Sequence, residues 1–145
     1  MRTAFLLLFT ATLGFTQSPP ASPGFTALVN DAKTRIREID IEGLKKLQAS
    51  GDKFTLVDVR EDNEWTAEHI TGATHIGRGV LDRDIEAKVP DKGAKLVLYC
   101  GGGSRSALAA DVLTKLGYTN VTSLAGGIRA YKSAGLATEI PEKAK

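Results

Sequence analysis

The apolar run Val97-Leu98-Tyr99 ends at the only cysteine of the chain, Cys100. Three glycines, Gly101-Gly102-Gly103, then lead into a segment of helical spacing from Ser104 to Leu116. Such a run suits a buried strand, so the chain must pass from strand to helix through a loop with almost no side chains. That loop gives a thiol unusual surroundings. Its glycines let successive backbone N–H groups curl toward one point, the helix directs its positive end there, and Arg105 adds a full charge. All three favour the thiolate, which is the nucleophilic form. The loop is therefore expected to bind an anion and to attack it with Cys100.

The flanking segments alternate in character. Phe25, Leu28, Val29, Ala32 and Ile36 fall at helical intervals and predict an amphipathic helix ending near Glu38, packed against the domain. A short edge strand is expected over Ile39 to Ile41, then a helix carrying Ile41, Leu44 and Leu47 that Ser50-Gly51-Asp52 ends. Phe54 to Val59 reads as a buried strand, and Asp62 or Asn63 as the cap of a short helix through Trp65 to Glu68. Further strands are expected over Ala73 to Ile76, Lys95 to Tyr99 and Val121 to Leu124, with helices over Leu81 to Val89, Ser104 to Leu116 and Ile128 to Ser133. Alternating strands and helices imply a mainly parallel sheet of about five strands covered by helices on both faces. In such α/β sheets the ligand site lies beyond the carboxyl ends of the strands, where Cys100, Asp58 and Arg60 all fall.

With 145 residues, 42% of them hydrophobic and 25% charged, the chain suits one domain with a core and leaves no room for a second. Arg2 followed by the apolar stretch Ala4 to Phe15 reads as an export signal over residues 1–17. A proline- and serine-rich tether and the N-terminal helix follow over 18–38, and the α/β domain over 39–140. The alternative is that Met1 to Gln17 forms a hydrophobic element of the domain. The apolar stretch is short for a membrane span, so no stable membrane insertion is expected after processing. A periplasmic protein with one cysteine forms no internal disulfide, which favours keeping the thiol for chemistry. A net charge of +2, no basic run and scattered aromatic residues leave no expectation of nucleic-acid binding.

Four separated motifs carry a family resemblance. They are Asp58-Val59-Arg60-Glu61, Glu68-His69-Ile70-Thr71-Gly72-Ala73, Cys100 through Ser106, and Leu124-Ala125-Gly126-Gly127-Ile128. In order and spacing the chain resembles the rhodanese family of sulfurtransferases over Ile39 to Glu139, most closely its single-domain exported members. The resemblance implies transfer of a sulfane sulfur from thiosulfate or a similar donor to cyanide or a thiol, a protein thiol included, through a persulfide on Cys100. It also implies that Gly101, Gly102, Gly103, Ser104, Arg105 and Ser106 hold the donor anion, with Arg105 on its sulfonate end and Ser106 facing the sulfur. Asp58 and Arg60 are expected to brace the loop, and no cofactor is implied.

Rival readings attach to the same residues. A persulfide carrier or redox-sensing module would keep Cys100 without turnover. A cysteine-dependent phosphatase or arsenate reductase would place five residues between cysteine and arginine, where this chain has four. His69 is read as fixing the turn before Gly72, because attack of a thiolate on sulfur removes no proton. His69, His75 and Cys100 lack a metal-ligand spacing. Arg78, just after the third strand, is placed either on a solvated face or at the rim shared with Cys100. Trp65, Tyr118 and Tyr131 are read as packing residues.

Overall fold

The computed structural model describes residues 20–141. The expected export signal and the start of the tether lie outside the described residues. Thirteen elements follow in chain order among those described. They are α1 (Pro23–Lys33), β1 (Arg37–Ile39), α2 (Ile41–Ala49), β2 (Thr55–Asp58), α3 (Asp62–Ala67), β3 (His69–Ile70) and β4 (Thr74–His75). The rest are α4 (Leu81–Lys88), β5 (Leu96–Tyr99), α5 (Ser104–Lys115), β6 (Val121–Leu124), α6 (Gly127–Ser133) and β7 (Thr138–Glu139).

Five strands form one sheet in the order β1-β6-β5-β2-β4, and all four pairings are parallel. The expected α/β class and strand number hold. β5 is the middle strand, and each of its residues is buried. Side chains alternate across a strand, so its continuous apolar run feeds two cores. Leu96 and Leu98 point to one face with Val57, Val59, Leu81, Ile85, Ala109, Ala110 and Leu113, under α4 and α5. Val97 and Tyr99 point to the other with Leu44, Leu56, Leu124, Ile128 and Tyr131, under α2 and α6.

Three expectations are corrected. The N-terminal helix stops at Lys33 rather than near Glu38, because Arg37–Ile39 joins the sheet beside Thr122–Leu124. Its periodicity ran on through Ile36, but backbone pairing with β6 outweighs it. The edge strand is accordingly earlier than Ile39 to Ile41, and Asp40 caps α2 by accepting from the Gly43 N–H at 2.8 Å. The cap of α3 is Glu61, not Asp62 or Asn63. Finally, His69–Ile70 pairs antiparallel with Thr138–Glu139 in a second, two-stranded sheet that periodicity could not reveal, each strand being two residues long.

α1 lies against α5. Ser22 caps it, accepting from the Phe25 N–H at 3.2 Å, and Pro23 occupies its first turn. Its buried residues Val29 and Ala32, with Phe25 beside them, pack on Leu108 of α5. Beyond its end, Arg35 bridges Asp31 and Asp111. Among the described residues no helix is long and apolar enough to cross a membrane.

Candidate active site

The site lies at the carboxyl ends of β2 and β5, where the sheet delivers Asp58, Arg60 and Cys100 to one rim. After Tyr99 the chain turns through Cys100 to Gly103 and enters α5 at Ser104. Gly103 takes φ +98°, a left-handed conformation, and a Cβ there would press on the Gly126 nitrogen. On the far side α6 closes in. Its Ile128 N–H donates to the Cys100 carbonyl at 2.8 Å and its Arg129 N–H to the Gly101 carbonyl at 3.2 Å. A Cβ on Gly127 would overlap that Cys100 carbonyl, so the double glycine is the condition for docking α6 on the loop.

Cys100, itself almost fully buried, lines an open pocket of about 830 Å³. The Gly103 N–H donates to the Cys100 sulfur at 3.1 Å, and the Ser106 hydroxyl at 3.6 Å. Burial raises the thiol pKa. The amides of Ser106, Gly102 and Gly103 and the Ser106 hydroxyl oppose this, and the net result lies below the ordinary thiol value. Ser123 on β6 donates its hydroxyl to Ser106 Oγ at 2.9 Å. The single Ser106 hydroxyl hydrogen is thus left to the sulfur or to the Gly103 carbonyl, 3.2 Å away.

Arg105 is placed differently from its expected role. Its guanidinium forms two parallel hydrogen bonds to the Glu64 carboxylate, at 2.6 and 2.8 Å, and Glu61 stands 3.8 Å off. A bidentate carboxylate satisfies the fork and offsets the charge, so Arg105 fixes α3 against the loop more directly than it faces the sulfur. Pairing with Arg105 in turn lowers the Glu64 pKa below the usual carboxylate value. Ser104, Gly101 and Gly102 line the pocket with Arg105, whereas Gly103 and Ser106 lie buried behind the sulfur.

Asp58 and Arg60 form a buried pair, with Arg60 Nη2 2.6 Å from Asp58 Oδ2 and Arg60 also donating to the Glu68 carbonyl at 2.7 Å. Removing one partner of such a pair costs about 3–5 kcal/mol. The pair braces the end of β2 and the approach to β3, and Arg60 forms part of the pocket wall, but its hydrogen bonds do not reach the Cys100 loop. Tyr99 connects the two. Burial and the neighbouring Asp58 carboxylate raise its phenol pKa, and its hydroxyl accepts from the Ile70 N–H at 3.1 Å.

His69 meets Glu139 at 3.1 Å through Nε2, and Glu139 also accepts from the Gly72 N–H at 3.4 Å, which fastens the turn as expected. Trp65 stacks with both His69 and His75, at ring separations of 3.5 and 5.1 Å. Arg78 reaches the rim and lines the pocket.

Sequence reading missed several contributors, Lys132 of α6 among them. Glu64 was hidden in a charged cluster, and Ser123 is a buried polar residue in an apolar strand, a signal that was present. Arg129 stands in the first turn of a helix that starts at the same rim. Ala21 and Phe25 bring the start of α1 to the pocket wall.

With this geometry in place, the relatives are informative. Residues 40–134 match the rhodanese-like domain family, and the chain belongs to it. It is 33% identical to a sulfurtransferase of Allochromatium vinosum over 107 residues, which are 74% of this chain and 98% of that one. It is 36% identical to the thiosulfate sulfurtransferase PspE of Escherichia coli over 73 residues, 50% of this chain and 69% of the relative. Several other curated relatives are longer, and the match spans half or less of them. Among solved structures, a protein of unknown function from Rhodopseudomonas palustris, named as a possible tyrosine phosphatase, superimposes with a TM-score of 0.71 at 29% identity. The match covers 87% of this chain and all of that one. The family and its homologues make this a rhodanese-like sulfurtransferase fold with a buried, hydrogen-bonded thiol at its centre.

Proposed function

We propose that the protein moves a sulfane sulfur from thiosulfate or a similar donor to cyanide or a thiol through a persulfide on Cys100. The observation that carries this reading is the environment of the sulfur. Three amides and one hydroxyl converge on it, enough to hold a thiolate despite burial. The thiolate electron pair attacks the outer sulfur of the donor, the donor S–S bond breaks, and sulfite leaves with that bond's electrons. Cys100 then carries the transferred sulfur as a persulfide anion. The acceptor attacks the terminal sulfur, the Cys100 S–S bond breaks, thiocyanate or a new persulfide departs, and the thiolate returns. The amides that held the thiolate are positioned for the persulfide anion as well.

The rival phosphoryl reading needs an arginine that folds back over the bound oxyanion, and Arg105 is turned to Glu64 instead. The Arg2-led apolar stretch supports export of the chain to the periplasm. Incubation of the purified protein with thiosulfate and cyanide is expected to release thiocyanate, with Cys100→Ser at background. A stable persulfide without turnover would instead mark a carrier. No sulfur uptake at all would overturn the reading.

A further inference from the structure

Five cationic side chains line the pocket: Arg60, Arg78, Arg105, Arg129 and Lys132. Three have carboxylate partners, Arg60 with Asp58, Arg105 with Glu64 and Lys132 with Glu68. Among the described residues Arg78 and Arg129 make no salt bridge. The two differ in how they are held. Arg129 is fixed to the Cys100 loop by its own backbone, through the Arg129 N–H on the Gly101 carbonyl and the adjacent Ile128 N–H on the Cys100 carbonyl. Its guanidinium reaches over Gly102 with Nη2 foremost. A methyl added at Gly102 would overlap Nη2 and stand 3.0 Å from Cζ.

We propose that Arg129 selects and holds the anionic end of the sulfur donor, a sulfonate-type dianion, and that Gly102 is bare because this guanidinium occupies the space above it. The proposal rests on the sulfur-transfer reading and assigns its donor specificity. Gly102 and Gly103 supply amides to the reacting sulfur, and the three glycines offer no side chain to the donor's oxygens, so the oxygen-binding charge must come from outside the glycine run. Arg105 has its fork filled by Glu64, whereas Arg129 is exposed, lines the pocket and has no carboxylate partner among the described residues. A planar guanidinium presents paired N–H donors at the spacing of two oxygens of one sulfonate group. Donors ending in such a group are thereby preferred over uncharged polysulfides.

Two measurements test this, the first of them independent of turnover. In Cys100→Ser protein, thiosulfate affinity by calorimetry is expected to fall about tenfold or more on adding Arg129→Gln, with partial recovery in Arg129→Lys. Gly102→Ala alone should reproduce most of that loss by displacing the guanidinium. Gly102→Ala combined with Arg129→Gln should be no weaker than Arg129→Gln alone, since the methyl then has nothing to displace. In Cys100 protein, Arg129→Gln should raise the thiosulfate KM far more than that of methanethiosulfonate, a monoanion with a methyl in place of one oxygen, while kcat changes less than about twofold. Unchanged affinity in Arg129→Gln, or additive losses in the double variant, overturns the proposal. If Cys100 gains no sulfur atom from either donor while Arg129-dependent binding persists, the sulfur-transfer reading fails and the anion site stands.

Discussion

Around the Cys100 sulfur, burial and hydrogen bonding act in opposite directions, and the balance rests on a few donors. Ser106 contributes two of them, its amide and its hydroxyl, and Ser123 orients the hydroxyl by taking up one of its lone pairs. Replacing Ser106 by alanine removes one donor to the charged form and should raise the thiol pKa by about one pH unit. Because the thiolate predominates only above that pKa, the pH profile of Cys100 alkylation should move to higher pH by the same amount; an unmoved midpoint would assign the depression to the amides alone. That Cys100, its glycine loop and Ser106 come together was legible in sequence because their order along the chain is also their order in space. The partner of Arg105 was not. Glu64 lies 41 residues away, and local reading has no means of knowing that a guanidinium aimed at an anion already has one.

Among the elements, α1 links stability to the site. It is fastened by Phe25, Val29 and Ala32 against Leu108, and by Arg35 between Asp31 and Asp111, while its first turn forms part of the pocket wall. Placing a carboxylate in that seam with Val29→Asp should release the helix. Tryptic cleavage at the Thr34 to Ile36 connector should quicken about tenfold or more, with the circular dichroism of the sheet domain retained. Global unfolding instead would show α1 to be part of the core. Arg35 and Lys115 hold the Asp111 carboxyl down at about 2. The pair's contribution is full above the ordinary carboxylate range and fades as pH falls toward that value. The limits of α1 were misread because Ile36 continues its apolar spacing, whereas the pairing that claims Arg37–Ile39 comes from β6, more than 80 residues on. The β3–β7 ribbon escaped notice for a related reason, since two residues carry no period.

For the molecule as a whole, sequence alternation sufficed to give the five-stranded sheet and the rim where the site falls, because a strand buried on both faces has to be apolar throughout and β5 is. Hydrogen exchange should follow the same hierarchy. Amides of β5, flanked by β2 and β6 and covered on both faces, should exchange last, and those of β3 and β7 first. Early exchange in β5 would contradict the central place given to it. The loop after β5 is stitched to α6 through the Cys100 and Gly101 carbonyls and lies too close to Gly127 to leave room for a side chain. A cradle anchored on both sides in this way is a socket rather than a jaw. In the proposed sulfur transfer, loading and unloading would add and remove one atom without a change of shape, so the pace of turnover would be set by the arrival of the reactants and the breaking of S–S bonds.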